Sequence, residues 1–408
     1  MTPQLPPHFS PAVHPQPTAP LRVAVAGCGA IAPRHIEAYA DTGLTDLVGV
    51  FDVDRDRADA LADRYDCPNV YTSIEDLLDA QNPDLVSIVT PPGTHAALAI
   101  AVLEAGRTVL LEKPPCITLS DMDRVAEAES RSAGRVYVVF QHRHGSAARR
   151  ARQLLNSGSL GVPQVSVCET LWYRPVSYFD PDWRGTWSGE GGGPTLGHGI
   201  HQFDLLLSLL GPWSTIDALA ARLGRPVEFE DVSMAMVRFE NGSVGSVINS
   251  LLSPQELSRI RIDTTGGTLQ VSHVYGYQDA DWSWTPVPDA ETAATLGHDP
   301  GVRTNDDDPP VIESDGVWRS SAGIDLPSNH FAQISSLVDD LLGGRDHETT
   351  LASTRPTMEF VTALYQSALS GTTVRRTDLT PDSPFYGDLS GGLSADTITR
   401  KMTIAPTR

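Results

Sequence analysis

The amino-acid sequence predicts an α/β N-terminal domain on a parallel sheet, followed by a second domain of strands and helices. Three observations carry this. From Leu21 onward short β-branched runs alternate with amphipathic helical stretches, and a glycine-rich turn, "GCGAIA", joins the first strand to the first helix. Beyond about Gly158, strand-like runs follow one another without helices between them. Alternation means βαβ units with helices on both sheet faces, whereas uninterrupted strands fit an antiparallel sheet.

In order, "LRVAVAG" reads as a strand, "CGAIAPRHIEAYADTG" as a helix, "LTDLVGVFD" as a strand and "VDRDRADALADRYD" as a helix. "SIEDLLDAQ" opens on a Ser73/Asp76 capping pair, and the strand "PDLVSIVT" follows. "GTHAALAIAVLEAG" is helical, "RTVLLEKP" a strand, "SDMDRVAEAESRSAG" a helix and "RVYVVF" a strand. A helix then reaches about Gly158, before the runs "QVSVCETLWY", "STIDALAARL", "SMAMVRFENGSVGSVINSLL" and "SRIRIDTTGGTLQVSH". "ENGS" is a hairpin signal. "SNHFAQISSLVDDLLGG" and "TRPTMEFVTALYQSALSG" are late helices, and 285–327, rich in Asp, Pro, Thr and Gly, reads as a loop insertion.

The chain of 408 residues is long enough for two domains. Residues 1–20 hold seven prolines and read as a disordered tail, 21–142 as the α/β domain, 143–376 as the second domain, and 377–408 as a C-terminal tail. A net charge of −21 repels nucleic-acid phosphates, and the basic stretch "QHRHGSAARRARQ" has no aromatic-basic module beside it. No apolar run approaches the roughly 20 residues that span a bilayer. Cys28, Cys67, Cys116 and Cys168 show no metal or disulfide spacing, so the expectation is a cytoplasmic protein with no metal, no membrane and no nucleic-acid partner.

In "GCGAIA", Gly27 permits the tight turn, Gly29 lets a pyrophosphate approach the backbone, and Ala32 lets helix and strand pack closely. Ala30 and Ile31 belong to the helix start, whose free N–H groups suit phosphate. Asp52 ends the second strand, 23 residues beyond Gly29, near the spacing of a ribose-binding carboxylate. An acid there favours NAD over NADP, while Arg55 and Arg57 keep NADP open. Later strands end in "TPPGTH" and "LLEKPP". Thr90 and Pro91 would line the cofactor, and His95 either contacts ligand or caps its helix. Glu112 and Lys113, at the end of an apolar strand, are costly unless paired or used. A lysine so placed can polarise a hydroxyl or carbonyl oxygen.

With "AGCGAIA", "TPPGTH", "EKPP" and "EGGGPTLGHGIHQFDLL" in this order, the chain resembles the Gfo/Idh/MocA family of glucose-fructose oxidoreductase and inositol dehydrogenase relatives, from about Leu21 to about Arg376. The resemblance implies a Rossmann domain and an α+β domain with a large, mostly antiparallel open sheet. It also implies late helices lying partly on the first domain, and a homodimer or homotetramer formed through the sheet. It further implies NAD(P)-dependent oxidation or reduction of a sugar, sugar derivative or polyol. Lys113 looks like the family's EKP lysine, before an often cis proline, Pro114. His201 matches the histidine of GxHxxD and is the acid/base candidate. Asp204, on the same helical face, either orients His201 or caps the turn. One departure stands out: many members carry Asp or Asn four residues before this histidine, and here that position is Gly197. His198 beside it would fill part of that role.

Trp172, Tyr173, Arg174, Tyr178, Trp183, Arg184 and Trp187 crowd one stretch of the chain. Aromatic faces with arginine forks suit a sugar ring, plain or carboxylated, although about half of these aromatics would be structural. Arg174, Trp183, Arg184, His198, His201 and Gln141, the last after "RVYVVF" beside His142, are therefore the substrate-binding candidates. Two other readings share the scaffold. One is glycoside cleavage or elimination with no net redox change; the other is a cofactor- or sugar-binding protein without turnover.

Overall fold

The computed structural model describes residues 19–287, 317, 318, 323 and 325–403. The proline-rich stretch 1–18 and most of the expected insertion 285–327 lie outside the described residues.

The first sheet contains β1 (Leu21–Ala26), β2 (Thr45–Phe51), β3 (Val70–Tyr71), β4 (Leu85–Ile88), β5 (Thr108–Leu111) and β6 (Val136–Val138) in the order β3-β2-β1-β4-β5-β6, all parallel. Its helices are α1 (Ala32–Thr42), α2 (Arg55–Tyr65), α3 (Ile74–Gln81), α4 (His95–Glu104) and α5 (Leu119–Arg131). Alternation along β1 explains the two-sided burial, since Val23 and Val25 enter different apolar clusters from Ala24 and Ala26. The expected cap forms: Asp76 N donates to Ser73 Oγ at 3.2 Å. The sequence reading missed β3, whose two residues are too few to show a period.

Beyond α6 (Ser146–Asn156), the chain builds the second sheet from β7 (Pro163–Tyr173), β8 (Trp213–Ala221), β9 (Val232–Phe239), β10 (Val244–Ser250), β11 (Leu252–Thr264), β12 (Gly267–His273), β13 (Trp282–Pro286) and β14 (Val374–Arg375). Their order is β13-β12-β11-β7-β10-β9-β8-β14, antiparallel throughout except for β10 on β7. The "ENGS" turn joins β9 to β10, with Gly242 at φ +89°.

Between β7 and β8 lie α7 (Trp187–Glu190), one π turn at Thr195–Gly199, and α8 (Ile200–Leu210), whose apolar run is buried along its length. The closing helices are α9 (His330–Leu342), α10 (Leu351–Ser370), α11 (Pro384–Gly387) and α12 (Ala395–Met402). Helix α9 packs Ile334, Leu337 and Val338 with Ala38 and Tyr39 of α1, so the chain does return to the first domain. Met358, Phe360 and Leu364 of α10 join the core that unites both sheets. From residue 377 to residue 403 the chain stays folded, with Ile398 and Met402 of α12 against Ala220 of β8.

Candidate active site

The turn after β1 is shaped by close approach. Gly27 sits at φ +102°, and a Cβ there would lie 2.9 Å from the backbone of Val89 and Thr90. No other residue type fits without strain. Over Gly29 the space is open, and Gly29, Ala30 and Ile31 are exposed at the start of α1, which no side chain of the described residues caps. Asp52 accepts from Cys28 N at 2.8 Å and from Asp54 N at 2.9 Å, fixing the turn to the end of β2. Arg57 stands 3.9 Å from Asp52. Burial, with Asp52 alongside, pushes the Cys28 thiol up to about 12, so this cysteine is an inert part of the loop.

One cavity of about 470 Å³ opens at the carboxyl ends of β1, β4 and β5, within the range of small-molecule sites. Its lining includes Ile31, Thr90, Glu112, Lys113, Arg174, Trp183, Arg184, His198 and His201 from the sequence-derived candidates. Gly29, Ala30 and Pro91 are exposed outside that lining.

Two candidates lie elsewhere. His95 is fully buried, its ring nitrogens 2.8 Å from the carbonyls of Pro114 and Thr90. Burial lowers its pKa against those two carbonyls, and it braces the Thr90 and Pro114 loops to each other, outside the cavity lining and without capping α4. Gln141 is also fully buried and donates to the Tyr275 hydroxyl, so Tyr275 reaches the cavity and Gln141 only holds it. A polar side chain beside a strand end looks the same in sequence whether it faces ligand or core.

Glu112 accepts at one oxygen from His35 Nε2 at 3.2 Å and His330 Nε2 at 3.0 Å, and at the other from Lys113 N at 2.9 Å. Burial works against its charge, but the two histidines hold it well below the usual carboxylate range. The chain of contacts continues from His35 Nδ1 to Ser87 Oγ at 3.1 Å and on to the Tyr39 hydroxyl at 2.6 Å. The ligand atoms of His35, Glu112 and His330 lie within 4.8 Å of one another, a spacing their hydrogen bonds account for.

The Lys113–Pro114 peptide is cis. Lys113 Nζ donates to the Gly197 carbonyl at 3.1 Å. Burial lowers its pKa, Glu112 opposes this and Arg184 adds to it.

The glycines of "GGGPTLGHG" serve close packing. A Cβ on Gly193 would strike the Glu230 carbonyl, and one on Gly199 the Asn249 side chain, whereas Gly197 faces open space. Helix-like backbone can thus sit directly on β10 and on the segment before β9, and present His198 and His201 to the cavity. π turns of this kind recur at functional sites.

His201 lies against His142 (ring centroids 5.1 Å) and Tyr275 (5.6 Å), and His198 meets the edge of Trp172 at 5.0 Å. Burial, reinforced by Lys113 and His142, holds His201 well below the ordinary histidine range; burial with Arg174 and Lys113 does the same for His198. Both imidazoles are neutral at neutral pH. The Nδ1 atoms of both are buried without a hydrogen-bond partner among the described residues.

Asp204 does neither of the things its spacing suggested. It is fully buried, pairs with Arg143 and accepts from Thr357 Oγ1 at 3.0 Å. An unpaired buried guanidinium is costlier than an unoriented imidazole, and that pairing wins.

The sequence reading missed several lining residues: Tyr275, His330, Glu190 and Glu256. Glu190 opens the "EGGG" motif without having been singled out, and the other three sit in no motif. Those three arrive through tertiary structure, as when the β7–β11 register brings Glu256 to Arg174 at 3.1 Å.

Comparison with known proteins agrees with this geometry. Residues 21–140 match the model of an oxidoreductase family with an NAD-binding Rossmann fold, and residues 148–270 that of the GFO/IDH/MocA C-terminal domain. The chain is 28% identical over 285 residues to D-glucoside 3-dehydrogenase of Escherichia coli, covering 63% of this chain and 79% of that one. It is 25% identical over 388 residues to D-apiose dehydrogenase of Paraburkholderia graminis, covering 90% and 93%. Among solved structures, the WlbA dehydrogenase from Bordetella pertussis in complex with NADH and UDP-GlcNAcA superposes with a TM-score of 0.73 at 25% identity, covering 87% of this chain and 98% of that one.

Proposed function

The chain belongs to the GFO/IDH/MocA oxidoreductase family, and we propose that it is a dehydrogenase moving hydride between NAD and a hydroxyl or carbonyl of a sugar, sugar derivative or polyol. The observation that supports this reading best is that Lys113, His198 and His201 line one cavity at the carboxyl ends of a dinucleotide-type sheet.

The residues fit NAD. The uncapped, exposed start of α1 offers N–H groups to a pyrophosphate, and the open space over Gly29 admits it. Asp52 at the end of β2 suits ribose hydroxyls and disfavours a 2′-phosphate. Bound NAD supplies the hydride acceptor or donor.

The protein's own residues supply the rest. Neutral His201 accepts the proton of the substrate hydroxyl during oxidation and returns it during reduction. The Lys113 ammonium, held by the Gly197 carbonyl, donates to the same oxygen and stabilises its developing negative charge. His198 lies beside them and orients substrate.

The test is NADH formation with a saccharide and polyol panel. Lys113→Ala and His201→Ala should each lower kcat by about 10²–10⁴ while leaving NAD binding within a few-fold. Unchanged turnover would remove the role assignments, and product without net NADH would point to the non-redox chemistry.

The outer face of the second sheet carries exposed Val165, Leu219, Met234, Met236 and Val244, with Met234 opposite Leu219 and Val244 opposite Val165. That apolar stripe supports association of two copies through the sheet. Met236→Asp should then lower the mass measured by light scattering. The four cysteines are unpaired, which fits a reducing, cytoplasmic setting. Among the described residues no helix is long and apolar enough to cross a membrane.

A further inference from the structure

Arginines in a sugar pocket raise a question of charge. Here both are already matched. Arg174 Nη1 lies 3.1 Å from Glu256 Oε1, and Arg184 Nη1 lies 3.1 Å from Glu190 Oε1. Each pair is only partly exposed, which makes it harder to separate than a surface pair. Glu256 Oε1 also accepts from Tyr173 N at 2.9 Å, and Glu190 Oε2 from Gly185 N at 2.7 Å, so backbone groups hold both carboxylates in place.

The guanidiniums are further locked by aromatic faces. Arg184 lies 3.9 Å over the Tyr178 ring and 4.4 Å over Trp183, and Arg174 lies 4.8 Å over Trp172 and 5.4 Å over Tyr178. One wall of the cavity is thus a stack of alternating rings and cations whose orientation is fixed before any substrate arrives. Around the whole lining, Glu112, Glu190 and Glu256 stand against Lys113, Arg174 and Arg184. A charge-balanced wall gives hydroxyl groups both donors and acceptors, but a substrate carboxylate or phosphate would meet guanidiniums whose charge the glutamates already offset.

We propose that this pocket selects uncharged saccharides or cyclic polyols over carboxylated or nucleotide-linked ones, and that Glu190 and Glu256 are specificity-determining residues because they neutralise Arg184 and Arg174 in advance. This rests on the dehydrogenase reading for the use of the site, though not for its charge preference.

The experiment is calorimetric titration of the full-length, NAD-loaded protein with methyl glucopyranoside, myo-inositol, glucuronate and UDP-glucuronate. In the wild type at least one uncharged probe should bind about tenfold or more tighter than either anionic one. In Glu190→Gln and Glu256→Gln, whose freed guanidiniums can fork onto a carboxylate, the ratio should move at least about tenfold toward glucuronate. Thermal melts confirm that each variant is folded, and if one is not, the other and the wild-type ratio still decide. Equal or tighter wild-type binding of an anionic probe overturns the proposal, as do unchanged ratios in folded variants. Binding of NAD with no binding of any saccharide overturns it too. Selective binding of uncharged sugars without NADH formation would instead sustain the charge preference and overturn the dehydrogenase reading.

Discussion

The Lys113 ammonium donates to the backbone carbonyl of Gly197 at 3.1 Å, across 84 residues of chain. Where the family resemblance leads one to expect an Asp or Asn side chain, a main-chain carbonyl meets the lysine instead. A carbonyl carries only a partial charge, so it stabilises the ammonium less than a carboxylate would. Burial, with Arg184 nearby, therefore lowers the lysine's pKa with Glu112 as the opposing charge.

That arrangement predicts the pH profile. The active lysine is protonated, so kcat/KM for oxidation should fall as pH rises through the depressed Lys113 pKa, giving an alkaline limb below 10.5. His201 acts as the neutral base, so the acid limb should lie well below 6.5. Gly197→Asp should move the alkaline limb upward by placing a carboxylate beside the ammonium. A rate still rising at pH 10.5 would remove Lys113 as the proton-bearing group.

The glycines nearby differ in what they tolerate. A Cβ at Gly197 meets nothing within 4 Å, whereas one at Gly193 meets the Glu230 carbonyl and one at Gly199 the Asn249 side chain. Gly197→Asp should unfold within about 1 kcal/mol of the wild type, while Gly193→Ala and Gly199→Ala should each lose about 1–3 kcal/mol through overpacking. Urea denaturation measures this; equal losses at all three positions would contradict the packing.

Much of this was legible in the sequence. The strand–turn–helix at "GCGAIA" could be read because three signals agree locally: a period of two, a glycine turn and a period near 3.6. Lys113 could be read because a charge at the end of an apolar strand is costly unless used, and His201 because it matches the histidine of the family's GxHxxD pattern. What could not be read depends on distant pairing. His330 reaches Glu112 across 218 residues and Arg143 reaches Asp204 across 61, and no local pattern encodes either. His95 and Gln141 show the converse: the right neighbourhood in sequence, but side chains turned to carbonyls and Tyr275.

Asp204 provides a test of that lesson. If it serves Arg143, then Asp204→Ala should destabilise the fold by about 3–5 kcal/mol, because a guanidinium is left buried without its counterion. The acid limb assigned to His201 should stay where it is in the folded fraction. A shifted limb with unchanged stability would restore Asp204 as the partner of His201.

Glu230 yields a pH dependence of stability. Its Oε1 accepts from Thr195 N at 3.1 Å and from the Tyr365 hydroxyl at 2.9 Å, while Gly193 N donates to that hydroxyl at 2.9 Å, so Glu230 anchors the turn that carries His198. Its Oε2 is buried without a partner among the described residues. Burial raises the pKa from 4.5 to about 7 against the opposing bonds. The folded state thus holds this proton more tightly than the unfolded chain does. Below 4.5 both states are protonated and no penalty exists; above about 7 both are ionised and the penalty is complete. The stability of the wild type should therefore decline by about 3 kcal/mol across that window from this group alone. Glu230→Gln keeps the accepting oxygen and removes the titration. Its stability relative to the wild type should rise by a similar amount between pH 4.5 and 7. Subtracting the two urea curves at each pH cancels the other titrating groups, and a difference that does not vary with pH would show that Glu230 is ionised throughout.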